Sequence, residues 1–196
     1  MSTISPAIPT TSEWSLPSRG RVGMYCLITA EAAIFTIFVV AYLFYIGKSV
    51  SGPTPQQVLE VPIFYTVCLL SSSIVIHFAE RALHHGQLGS FRLLWFLTFA
   101  LGATFLVGTA LEWRHLIENG LTISTNLFGT TYYSLVGLHA THVAVGLIGF
   151  VIVLLLSLAG KVSQEHSERI GVFGLYWHFV DAVWVVVFTV IYIIGR

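Results

Sequence analysis

The chain has 196 residues, of which 56% are hydrophobic and only 9% charged, with a mean hydropathy of +0.84 and no net charge at neutral pH. A soluble domain carries roughly 25% charged residues, so a soluble domain of any size is excluded. The even charge balance gives no basis for a nucleic-acid partner. The fold class expected is an all-α integral membrane protein.

Residues 1–20 are polar and Pro-containing. They lack the basic start and apolar core of a cleavable signal peptide and are expected to form a polar cytoplasmic segment. The membrane domain is expected over 21–196. A spanning helix needs about 20 mainly apolar residues, and five runs meet that need, at about 22–46, 61–84, 92–113, 130–159 and 170–194. Gly47-Lys48-Ser49 ends the first run, Gly52-Pro53-Thr54-Pro55 forms a turn, and Pro62 sits in the first turn of the second, where a helix tolerates it. His85 to Ser90 is a short hairpin link, Glu118-Asn119-Gly120 opens the next loop, and Gly160 to Arg169 is a charged connection. The link from Lys48 to Glu60 exceeds the roughly 2–8 residues usual between neighbouring helices. The first two spans are therefore expected to pack apart from the last three, as a two-plus-three bundle with a lipid-holding cleft. Arg19, Arg21, Arg81, Arg92, Lys161 and Arg169 fall on one side, and Lys48, Arg114 and Arg196 on the other. That bias predicts a cytoplasmic N-terminus and an outward C-terminus.

Each run carries polar residues at membrane depth, where an ionisable side chain costs about 2.5–3.5 kcal/mol on insertion scales. Glu31 lies near the middle of the first span. It reads either as a proton-exchanging site or partner anchor, or as a neutralised carboxyl hydrogen-bonded inside the bundle, because desolvation disfavours a charged carboxylate. His139 and His142 are three apart on one helical face. Imidazoles at that spacing can ligate metal, but no Glu-x-x-His repeat accompanies them, and interhelical hydrogen bonding is the better reading. His178 and Asp181 share a face and can pair. They are expected to point into the bundle, with Glu31 or the fourth-span His pair as partners. Glu112 near the end of the third span is either a partner contact or a water-facing helix end. His77 reads as a satisfied core histidine, and Glu80-Arg81 with His84-His85 as a solvated terminus. Cys26 and Cys68 read as small buried hydrophobes. No cysteine cluster, phosphate loop or serine nucleophile is present, and no complete ligand set for a redox centre.

Taken together, these stretches resemble subunit III of the haem–copper oxidases from about Arg21 to Gly195. The resemblance is carried by Gly23-Met24 followed by Glu31, by Leu59-Glu60-Val61-Pro62, and by Glu112-Trp113. It continues in Gly137-Leu138-His139-Ala140-Thr141-His142-Val143 and in Tyr176-Trp177-His178-Phe179-Val180-Asp181 before Val183-Trp184. The long family form has seven helices; the five here are similar to the shorter bacterial form, without the two that wall one side of the family's lipid cleft. The long form also has a Glu shortly before the Tyr-Trp-His motif, where this chain reads Gly171-Val172-Phe173-Gly174.

The resemblance implies an accessory subunit in a bacterial plasma membrane, within a complex that reduces oxygen to water and moves protons. It implies that this chain binds no haem, copper or other cofactor, that haem and copper sit in the partner subunits, and that phospholipid binds here. Implied partners are oxidase subunit I and the other oxidase subunits, membrane lipids, and in a wider setting a respiratory supercomplex. Glu31, His139, His142, His178 and Asp181 match the family's internal polar residues. Three alternatives stay open: the related subunit of a nitric oxide reductase complex, a stand-alone proton or ion transporter using Glu31, His178 and Asp181, and a haem-binding membrane protein using His139, His142 or His178.

Overall fold

The computed structural model describes residues 17–49 and 52–195. The expected N-terminal segment over 1–16, and Arg196 from the charge count, lie outside the described residues. The elements are α1 (Arg19–Tyr45), a short α2 (Pro55–Val58), α3 (Ile63–His84), α4 (Leu88–Glu118), α5 (Leu127–Leu158) and α6 (Ser167–Phe188). One 3₁₀ turn, Gln164–His166, leads into α6, and a π-helical stretch, Thr189–Ile194, continues it. Among the described residues, five helices are long and apolar enough to cross a membrane: α1, α3, α4, α5 and α6 with its flanking turns. The chain is a multi-pass membrane protein.

The helix ends follow from local chemistry. Gly86, Gly120 and Gly160 adopt φ of 72°, 80° and 72° after α3, α4 and α5. The following N–H then reaches back to the last turn, from Gln87 to Ala82, Leu121 to Leu116 and Lys161 to Leu156, each at 2.9 Å. Glycine takes this left-handed conformation at least cost. At the start of α5, the Asn126 side chain accepts from the Gly129 N–H at 2.8 Å and caps the first turn.

Helices α3, α4, α5 and α6 pack in sequence around a closed four-helix square, with α6 returning to α3. Helix α1 lies outside, in the groove between α5 and α6, and buries only Phe35 and Tyr42. The expected two-plus-three division is therefore corrected to four plus one. The second span is α3, and it packs chiefly on α4 and α6. The long link reflects a different need: it crosses the end of the bundle over the start of α5. The Phe128 N–H donates to Ser49 Oγ at 3.1 Å, and Asn126 Nδ2 donates to the Pro53 carbonyl at 3.2 Å.

Trp177 of α6 fills the centre of the square and is fully buried. Its ring is wedged between Gly102 of α4 and Gly146 of α5; a Cβ at either would stand 2.9 Å or 2.5 Å from the indole. Phe150 of α5 meets the ring edge-on at 4.8 Å. The indole Nε1 donates to Ser72 Oγ on α3 at 2.8 Å. One side chain thus touches all three other helices of the square. Two turns further along α6, Trp184 Nε1 donates to Thr66 Oγ1 on α3 at 3.2 Å.

Trp177→Phe should lose the Ser72 hydrogen bond, about 0.5–1 kcal/mol, together with part of the indole packing on Gly102 and Gly146, whereas Trp177→Ala should lose the whole ring, roughly 3–5 kcal/mol. Denaturation midpoints in detergent should rank wild type, Phe, then Ala. Equal midpoints for the Phe and Ala variants would show that the ring does not wedge the bundle.

Candidate functional site

Glu31 and His142 meet across α1 and α5. His142 Nε2 is 3.1 Å from Glu31 Oε2, and its Nδ1 is 2.8 Å from the Leu138 carbonyl. A carbonyl only accepts, so Nδ1 carries a proton. The remaining nitrogen then shares one proton with the carboxyl, either as imidazolium–carboxylate or as imidazole–carboxylic acid. The two side chains remain 14% and 24% exposed, so the pair opens to the surface of the bundle at membrane depth. Phe35 covers it, with ring centroids 5.0 Å from His142. Tyr176 of α6 donates to the His142 carbonyl at 3.0 Å, which ties the third helix to the same point.

His139 is placed differently from the interhelical hydrogen bonding expected of it. It is fully buried, and neither ring nitrogen has a hydrogen-bond partner. It stacks on Trp184 at 5.0 Å with an interplanar angle of 29°, and Phe105 meets it edge-on at 5.7 Å. It acts as an aromatic packing element within α5.

His178 and Asp181 point into the bundle, but their partner is neither Glu31 nor the His pair. It is Ser73 of α3. His178 Nδ1 lies 3.0 Å from Ser73 Oγ, and Ser73 Oγ hydrogen-bonds to Asp181 Oδ2. Sequence reasoning missed Ser73 and Ser72. Their signal was present as Ser71-Ser72-Ser73 within an apolar run, with Thr66 seven residues earlier on the same helical face as Ser73.

Glu112 accepts from Tyr192 Oη at 2.7 Å, which joins α4 to the π-helical end of α6. Its reading as a water-facing helix end is corrected, because α4 continues to Glu118. Arg114 pairs with Glu118 instead, at 3.0 Å on the exposed surface. His77 is exposed rather than a core histidine. Cys26 is exposed and Cys68 half-buried, both as free thiols. Among the described residues, no group of three or more His, Cys, Asp or Glu is placed to hold a metal ion. Chemically, the arrangement can hold and exchange protons and can tie helices together.

A double-mutant cycle with Glu31→Gln and His142→Gln should give a coupling of roughly 0.5–2 kcal/mol, the range of interhelical polar contacts in membranes. The readout is the unfolding midpoint in detergent. Strict additivity would make the 3.1 Å contact incidental.

The model of the family described as cytochrome c oxidase subunit III matches residues 17–196. The chain is similar to cytochrome c oxidase subunit 3 of Corynebacterium diphtheriae, at 35% identity over 91% of this chain and 89% of that protein. It is similar to the subunit 3 of Synechocystis, at 36% identity over 91% of this chain and 77% of that protein. Cytochrome bo(3) ubiquinol oxidase subunit 3 of Pseudomonas aeruginosa is 30% identical over 88% of this chain and 84% of its own length. With the family model matched over residues 17–196 and relatives at 30–36% identity over most of the chain, the chain belongs to the cytochrome c oxidase subunit III family.

Proposed function

We propose that the chain serves as the accessory third subunit of a respiratory haem–copper terminal oxidase, packed against the catalytic subunit I. The observation that carries this reading is how its membrane-depth polar residues are engaged. Glu31 with His142, Asp181 with Ser73, and Glu112 with Tyr192 each join two helices. Such groups stabilise a scaffold without needing a redox centre. Haem and copper then reside in the partner subunits, which carry the oxygen chemistry. The relatives bear both cytochrome c and ubiquinol oxidase names, so the choice of electron donor belongs to other subunits.

The complex sits in a bacterial plasma membrane, with residues 1–20 cytoplasmic and the C-terminus outside, as the Lys and Arg bias favours. Phospholipid binds along α1. A groove of about 190 Å³ between α1 and α6, walled by Ala32, Phe35, Val39 and Val183, suits an acyl chain beside Glu31. Glu31 and His142 would then act on proton supply to the catalytic subunit or on its durability during turnover.

Affinity purification of the chain from its own membranes should bring down the haem- and copper-bearing subunits, identified by mass spectrometry and the haem spectrum. The isolated chain should carry no stoichiometric haem or copper. Glu31→Gln should leave oxygen reduction intact while changing proton release or the number of turnovers before inactivation. Complete loss of oxygen reduction in an intact Glu31→Gln complex would overturn the accessory reading.

A further inference from the structure

Asp181 is the most enclosed carboxyl of the bundle, at 3% exposure. Its Oδ2 is bonded to Ser73, while Oδ1 is buried with no partner. Ser73 Oγ also lies 3.0 Å from His178 Nδ1. A serine hydroxyl has one proton to donate and lone pairs to accept. It therefore connects the imidazole and the carboxyl as a three-membered chain spanning α3 and α6.

The chain has an outer end. His178 is half-buried and its Nε2 is not part of the Ser73 contact. His77 lies one turn beyond Ser73 on the same helix, α3. His77 is exposed. With Glu80, Arg81, His84 and His85 it lines an open cavity of about 570 Å³ where α3 finishes. The Glu80 carboxyl fills the notch left by Gly174 on α6, so that a side chain at 174 would collide with it. Titratable groups thus run from the end of α3 to the interior along a single helix seam. Helices α1 and α5 also pack on α6. The titratable groups they bring there are Glu31 and His142, bonded to each other, and His139, stacked on Trp184. The seam is separate from the Glu31–His142 pair.

We propose that His178, Ser73 and Asp181 form a proton-loading site that takes a proton from the cavity at the end of α3 and stores it on Asp181. A proton reaching His178 Nε2 by way of His77 makes the imidazole a cation with N–H on both nitrogens. Nδ1 passes its proton to Ser73 Oγ as Ser73 passes its own to Asp181 Oδ2. The imidazole ends neutral, the serine keeps one proton, and the carboxylate becomes a carboxylic acid. One charge enters and one negative charge is neutralised. The reverse order releases the proton to the same end of the bundle. The loading does not depend on whether the complex is an oxidase.

Infrared difference spectra of the purified native complex test this, recorded between acid and alkaline pH and after transfer to D₂O. Wild type should show a titrating carboxyl C=O band that disappears in Asp181→Asn. Ser73→Ala should keep the band but slow its exchange with D₂O by roughly a hundredfold, the scale of a positioned proton-transfer group. Ser73→Thr should restore the exchange, which a packing role alone would not require. If Asp181→Asn does not assemble, the Ser73→Ala and Ser73→Thr pair decides. No band lost in an assembled Asp181→Asn complex, or unchanged exchange in Ser73→Ala, would overturn the proposal.

Discussion

The position of Trp177 is the constraint on which the rest of this bundle depends. Lipid tails are as apolar as leucine, so burying apolar surface between helices gains little there. Association relies on close packing and on hydrogen bonds that cross from helix to helix. Trp177 supplies both at one point, wedged against Gly102 and Gly146 while bonded to Ser72. Setting α6 in that place brings His178 and Asp181 to Ser73 and Trp184 to Thr66. At the far end of the same helix, Tyr192 reaches Glu112. Helix α1 is then an addition to a finished square, attached through Phe35 and the contact of Glu31 with His142.

Much of this was legible in the sequence because membrane helices announce themselves by length and apolarity. The five spans, the turn at Gly86 and the stops at Gly120 and Gly160 follow from that pattern and from glycine's access to positive φ. The inward direction of His178 and Asp181 was legible too, since an unpaired polar group in hydrocarbon is costly. Their partner was not. A serine in a transmembrane helix can satisfy its own hydroxyl on a carbonyl of the preceding turn, as Ser71 does with Cys68 at 2.9 Å. Nothing in Ser73 itself reveals that it instead faces a residue far along the chain. The same holds for Glu31 and His142, each conspicuous alone and joined only by tertiary packing. His139 shows the opposite error. Its chemistry suggests hydrogen bonding, yet its surroundings of Trp184 and Phe105 use only its ring.

The link between α1 and α3 misled for a physical reason. A long connection reads as a sign that helices separate, but a chain also needs length to cross the end of a bundle. Here Ser49 and Pro53 are bonded to the start of α5, so the length covers helix ends. A subunit built this way presents α1 as its most accessible helix, with a polar pair beneath it and an acyl-sized groove beside it. That arrangement fits the accessory role of a subunit III within a multi-subunit haem–copper oxidase.

The central claim is the four-plus-one packing organised by Trp177. An electron cryo-microscopy map of the purified complex, at a resolution that shows side chains, tests it most directly. The account predicts the indole of Trp177 lying between α4 and α5, its Nε1 on Ser72, and α1 outside against α5 and α6. A map in which α1 and α3 pair with each other, apart from the other three spans and with lipid between, would contradict it.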